Sequence, residues 1–195
     1  MAHTKNYLRY VIGVDPSGNF NEGKGHTGFA VYDRTENSVI ATFTTSAEDY
    51  KTVEEYYYQT WLTLFNLYLV YPGMVAIEDY RIYESKSREQ INSLVETPRI
   101  LGYLTMKCWE NNIPYKTRMA AAVKSRWTDE ILEHNGYTRR TALTASYSHC
   151  KGHSGYSIDC SDYRLMSHEL DAIRHAVHCG KLEVKEDGLQ LHDND

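Results

Sequence analysis

Long apolar runs are missing from this chain: none approaches the roughly 18 to 20 residues that a membrane-spanning helix needs. Of its 195 residues, 42% are hydrophobic and 24% charged, an ordinary balance for a water-facing domain. Met1 to Tyr10 carries Lys5 and Arg9 but no apolar segment of a secretory leader, so the expected compartment is the cytoplasm. The four cysteines, Cys108, Cys150, Cys160 and Cys179, include no Cys-x-x-Cys pair, and reduced thiols are expected rather than a disulfide framework. Cys150, His153 and Cys160, with His149 alongside, are zinc-ligand types, but their spacing matches no common zinc module, and a loop that carries these side chains is expected instead. Internal repeats and Pro/Gly/Ser-rich linkers are also absent. One domain over residues 1–182 is therefore expected, followed by an acidic, disordered tail at 183–195.

Positive charge is scarce too. Lysine and arginine total 21 against 26 acids, a net charge of −5, which lends no support to nucleic-acid binding. Most of the excess sits in the tail, where Glu183, Glu186, Asp187, Asp193 and Asp195 face only Lys185. The rest of the chain is close to neutral and leaves room for local basic patches.

What is present is patterned. Arg9 to Val14 is an apolar, β-branched run followed by a turn-rich stretch from Pro16 to Gly25. Thr27 to Tyr32 and Ser38 to Thr44 read as two further strands of an antiparallel meander. A helix is expected over Ala47–Tyr71, where Val53, Tyr57, Trp61, Leu64 and Tyr68 form an apolar stripe, and its aromatics are assigned to packing on a sheet. Met74–Ile77 has the length and composition of a buried parallel strand. A helix over Ser87–Asn111, a strand over Ile113–Thr117, a helix over Ala120–His134, a long loop over 137–161 and a last helix over Tyr163–Cys179 complete the order. Three antiparallel strands followed by alternating strands and helices predict an α/β domain with a mixed five-stranded sheet flanked by helices.

Asp15 and Glu78 stand at the carboxyl ends of the first and fourth strands, where ligands gather in open α/β sheets. Two carboxylates converging there repel each other unless a cation lies between them, which suits Mg²⁺ or Mn²⁺. Each acid also fits a turn-capping role, and Asp79 competes with Glu78, because consecutive strand residues face opposite ways. On the last helix His168, Asp171 and His175 share one face at i, i+3 and i+7. Met166, Leu170, Ile173 and Val177 lie on the opposite face for packing, and Ala172 and Ala176 between them permit close backbone approach. A merely solvated face more often carries Lys and Glu. Asp15, Glu78, His168 and Asp171 together would support phosphodiester hydrolysis with two divalent ions, with His168 as a ligand or as the base that positions the water.

These residues resemble the RuvC-like Holliday junction resolvases, particularly phage and prophage members, over residues 9 to 180. The resemblance rests on Val-Ile-Gly-Val-Asp15-Pro-Ser-Gly, Val-Ala-Ile-Glu78, Val123-Lys124 and His168-Glu-Leu-Asp171-Ala-Ile-Arg-His175. It implies an RNase H-like three-layer fold and Asp15, Glu78, His168 and Asp171 as catalytic metal ligands for Mg²⁺ or Mn²⁺. It also implies a homodimer that nicks four-way junctions symmetrically, in a host cytoplasm if phage-encoded, with much of the interface on the Ser87–Asn111 helix. Glu78 is thereby chosen over Asp79, and His175 becomes a neighbour of the cluster rather than a ligand. Lys124 matches a lysine that in relatives lies near the active site and backbone phosphate, and Lys86, Arg88, Arg126, Arg139, Arg140 and Tyr80 are the further DNA-contact candidates. No nucleotide cofactor and no membrane are expected. Alternatives are a nuclease of the same fold acting in DNA packaging or on RNA, a non-catalytic DNA-binding scaffold, and half of an actin-like ATPase. The last would require a second such domain, for which this length leaves no room.

Overall fold

The computed structural model describes residues 9–21, 23–80, 95–138 and 167–183. Five strands form one sheet: β1 (Tyr10–Asp15), β2 (His26–Asp33), β3 (Ser38–Ser46), β4 (Gly73–Asp79) and β5 (Tyr115–Met119), in the order β3-β2-β1-β4-β5. β1–β2 and β2–β3 pair antiparallel, while β1–β4 and β4–β5 pair parallel. The described helices are α1 (Val53–Val70), α2 (Glu96–Glu110), α3 (Ala120–Lys124), α4 (Asp129–His134) and α5 (Ser167–His178). This is the expected mixed α/β sandwich of helix, sheet and helix.

The alternation of strand residues builds two cores. Ile12, Val14, Phe29, Val31, Ala41, Val75 and Ile77 face α1 and α2, where Tyr56, Leu64, Ile100 and Leu104 close the layer. Val11, Ala30, Tyr32, Val39 and Ala76 face the other way, onto Val123, Leu132, Ala172, Ile173, Ala176 and Val177 of α3, α4 and α5. On β3 the two faces exchange at an extra residue, Ile40: Tyr32 pairs with Val39 but Val31 with Ala41. Such a bulge inverts the side-chain alternation beyond it.

Several boundaries differ from expectation for local reasons. Ala47–Asp49 forms a separate 3₁₀ turn, and α1 starts only after Thr52, whose side chain accepts from Glu55 N. Its buried line is Tyr56, Thr60, Leu64 and Leu67, with Trp61; Tyr57 and Tyr68, expected on the stripe, are half-buried flanks. The helix expected from Ser87 is not continuous, because Val95 is left-handed (φ 50°) and α2 begins after it; residues 87–94 of that expectation lie outside the described region. β5 starts at Tyr115 because Asn112 turns left-handed (φ 54°) and Ile113 N closes the end of α2 on Cys108 O. The helix expected over Ala120–His134 is two, broken at Trp127, with Thr128 capping α4. Gly180 lies inside a π-helical turn, Cys179–Glu183, that continues α5. Cys108 and Cys179 are buried thiols, whereas the Cys150/His153/Cys160 loop, most of the acidic tail and Met166 fall outside the described residues.

Candidate metal centre

Register aligns the site across the whole sheet. Asp15 lies opposite Gly28, and Gly28 opposite Thr44; Val14 beside Ile77 sets Asp15 next to Glu78, and Glu78 lies beside Arg118. The carboxylates thus stand side by side on the parallel strands β1 and β4, at their carboxyl ends. Asp79 turns the other way and accepts from Tyr80 N at 2.9 Å, a local cap.

Helix α5 brings the third carboxylate because two strand residues lack a side chain. A Cβ on Gly13 would lie 1.9 Å from Ala172 O, and one on Gly28 would lie 2.1 Å from His168 O. With glycine there, the helix backbone rests on the sheet, Ala172 and Ala176 make the close approach, and both sides of α5 become buried. Ile173 and Val177 pack as expected, but Leu170 is only half-buried. One carboxylate oxygen each of Asp15, Glu78 and Asp171 then lies within 4.8 Å of the others.

Each acid has a basic partner. His168 Nδ1 lies 2.5 Å from Asp15 Oδ2, and His175 Nε2, from a fully buried ring, lies 3.2 Å from Glu78 Oε2. Asp171 accepts from Lys124 Nζ at 2.7 Å and from Arg174 Nη1 through its other oxygen. Arg174 also donates to Trp127 O at 2.9 Å and to Asp129, so it ties α5 to the α3–α4 break. Burial pushes the Asp15 carboxyl up to about 6, aided by the charge of Glu78 and opposed by the bond to His168. Burial acts to lower the His168 ring, but the Asp15 bond and the three surrounding carboxylates outweigh it and raise it. Burial likewise acts to lower Lys124, and Asp171 reverses it.

The donor set is oxygen-rich and its carboxylates repel one another in a partly dry cleft; these are the conditions under which a hard divalent cation binds. Asp15, Glu78 and Asp171 fit such an ion, with His168 at its edge. Of the expected DNA contacts, Lys124 sits in the centre, Arg126 is exposed beyond it and Tyr80 follows β4; Lys86, Arg88, Arg139 and Arg140 lie outside the described residues. Arg118 and Arg174 were not among the expected site residues. Alternation from β5 places Arg118 in the Glu78 row, but only once the β4–β5 register is known. Arg174 stands at i+3 from Asp171, a spacing that reads equally as a surface ion pair.

No protein-family model matches the sequence, and no curated protein matches it. Among solved structures, Thermus thermophilus RuvC in complex with a Holliday junction substrate superposes with a TM-score of 0.60 at 15% identity, covering 90% of this chain and 95% of that one. A second Thermus thermophilus RuvC structure gives a TM-score of 0.56 at 15% identity, covering 90% and 96%. The chain has the RuvC fold. Its RNase H-like sheet order, with three antiparallel strands and two parallel ones, is the architecture expected from the motifs at Asp15 and His168. Within that RuvC-like frame Asp15 and Glu78 stand at the carboxyl ends of β1 and β4, and Asp171 meets them from α5. No helix among the described residues is long and apolar enough to cross a membrane.

Proposed function

We propose that the protein is a metal-dependent endonuclease that resolves Holliday junctions and related branched DNA. The observation that carries this reading is the convergence of Asp15, Glu78 and Asp171 within 4.8 Å on a RuvC-like sheet. Two Mg²⁺ ions, replaceable by Mn²⁺, would be held by these acids and His168; they would lower the pKa of the attacking water and stabilise the leaving 3′ oxygen.

The chain's own groups do the rest. Asp15 sheds its proton on cation loading, because a carboxyl held at about 6 by burial and by Glu78 ionises once positive charge offsets both. His168, hydrogen-bonded to Asp15 through Nδ1, orients that carboxylate and would offer its other ring nitrogen to an ion. His175 fixes the rotamer of Glu78 from the buried side, and Arg174 does the same for Asp171. Lys124, half-exposed on Asp171, offers its ammonium to a phosphate oxygen, and Arg118 and Arg126 are exposed cations on the neighbouring elements. An outward stripe on α2, with Gly102, Met106 and Trp109 exposed, supports a homodimer that presents two such sites to the two-fold symmetry of a junction.

The test is cleavage of labelled four-way, Y-shaped, linear duplex, single-stranded and RNA substrates with Mg²⁺, Mn²⁺ or EDTA. Paired symmetric nicks at the junction are expected, falling by roughly 10³-fold or more in Asp15→Asn and Asp171→Asn. Cutting spread over linear duplex or RNA would favour the packaging or RNA-directed alternative. Absence of cleavage with every substrate and metal would overturn the nuclease reading.

A further inference from the structure

A row of buried polar atoms beside the metal centre has no hydrogen-bond partner among the described residues. Beyond the Ile40 bulge, Ala41, Phe43 and Thr45 face α1; Ala41 and Phe43 join that core, and Thr45 Oγ1 meets Thr60 Oγ1 at 3.1 Å. Thr42, Thr44 and Ser46 alternate with them and therefore lie on the α5 side. They are 0%, 6% and 5% exposed, and among the described residues none of their hydroxyls meets a hydrogen-bonding atom. Ser46 precedes the 3₁₀ turn without capping it. Across the strand Ser46 pairs with His26, whose buried Nδ1 is also unsatisfied and whose ring centroid is 6.3 Å from that of His168.

Buried side-chain polar atoms are rarely left without partners, because each has given up its bonds to water on folding. Here four fall on one patch of a single sheet face, at the flank of His168 opposite Asp15. Hydroxyls both donate and accept, and a neutral imidazole does one or the other at Nδ1. Neither chemistry selects a charged ligand, but both suit water, which in protein interiors takes about three bonds from such groups.

We propose that Thr42, Thr44, Ser46 and His26 form a built water site, a hydrated trough running from β3 to the edge of the metal centre. Hydrolysis consumes one water per bond cut, and DNA lying over the carboxylates displaces bulk solvent from the open side. The trough is a second, internal source, and His26 is the positioning residue that holds its last water beside His168. The use of the water rests on the nuclease reading; the presence of the water does not.

The sign of a stability change decides between hydrated and empty. Thr44→Val keeps the side-chain shape and Ser46→Ala removes one atom, in the full-length chain without metal or DNA. If the hydroxyls hold water, each change lowers Tm by about 2–4 °C, the effect of losing roughly 1 kcal/mol in a chain of this length. If they are unpartnered in solution as well, both variants melt at the same temperature or higher, and the proposal is overturned. A high-resolution crystal structure should also place an ordered water within hydrogen-bonding distance of His26 Nδ1 and Ser46 Oγ, and a dry trough there would equally refute it. The supply role is read separately: His26→Ala should lower kcat on a four-way junction several-fold with KM unchanged. An unchanged kcat would remove that role. Because the melts require no cleavage, failure of the nuclease reading and failure of the water site are distinguishable.

Discussion

The two faces of one sheet are built from alternate residues of the same strands, yet they are organised on opposite rules. Toward α1 and α2 the strands present Ile12, Val14, Phe29, Val31, Val75 and Ile77, and the facing helices answer with Tyr56, Leu64 and Leu104. Large side chains hold those helices away from the backbone, and stability comes from apolar area removed from water. Toward α5 the face is divided: Val11, Ala30, Tyr32, Val39 and Ala76 form a second apolar core with Ile173 and Val177, while Gly13 and Gly28 let the helix down onto backbone beside Asp15, Glu78, Thr44 and His26. At the site end of that face acids crowd one another, and several buried hydroxyls have no partner among the described residues. The contrast separates a face given to apolar packing from one shared between a core and the site, on either side of one layer of backbone.

The sharpest way to break the contrast is to give the α5 face a side chain. Gly28→Val would drive a Cβ to 2.1 Å from His168 O. The expected outcome is a destabilisation of at least about 3 kcal/mol, or no folded protein, read by urea unfolding. A variant that folded with wild-type stability and still bound Mn²⁺ would show that the close approach is not what assembles the site. On the other face Leu64→Ala, at a fully buried position, should cost about 2–5 kcal/mol. It should leave the rise in Tm caused by Mn²⁺ nearly intact, because Leu64 touches the apolar layer only; a parallel loss of the metal effect would mean that the two faces are coupled.

The smallest effect is electrostatic. The Asp15 carboxyl is raised from 3.8 to about 6 in the folded chain, first by burial and then by Glu78. A raised folded value means that protonation favours the fold: this contribution is complete below about 3.8 and fades as pH rises through about 6. Cation binding requires the ionised form. The stabilisation by Mn²⁺ should therefore be slight near pH 5 and grow through pH 6 toward a plateau by about pH 7.5, approaching about 2–3 kcal/mol at a hundredfold excess over Kd. His168, also raised, must lose its proton to act as a ligand and pushes in the same direction. Thermal melts across that range, with and without Mn²⁺, check it, and Asp15→Asn should flatten the dependence.

How much of this was readable in advance varies residue by residue. Asp15 and Glu78 were legible because each ends an apolar run of strand length, and such ends collect ligands in α/β sheets. Asp171 was legible from helical spacing, and the mixed sheet of antiparallel then parallel strands followed from three strands before the first helix; the strand order did not. Arg118 and Arg174 were not, because a cation on a strand or helix face looks the same whether it meets solvent or an acid from a distant segment. The polar row on β3 was hidden for a similar reason: the sequence marks Ser38 to Thr44 as a strand, and only the burial of that face makes the hydroxyls of Thr42, Thr44 and Ser46 unusual. The Ile40 bulge, which selects their face, leaves no period-2 signature.

By itself the amino-acid sequence determined the element order, the two apolar faces and the acids at two strand ends, because periodicity and strand length are local properties of the chain. Only the tertiary structure decided which glycines let α5 down, which oxygens converge within 4.8 Å, and that Lys124 and Arg174 share Asp171. Those outcomes depend on register and on contacts between segments up to 150 or so residues apart, such as Asp15 with His168, which no local pattern encodes.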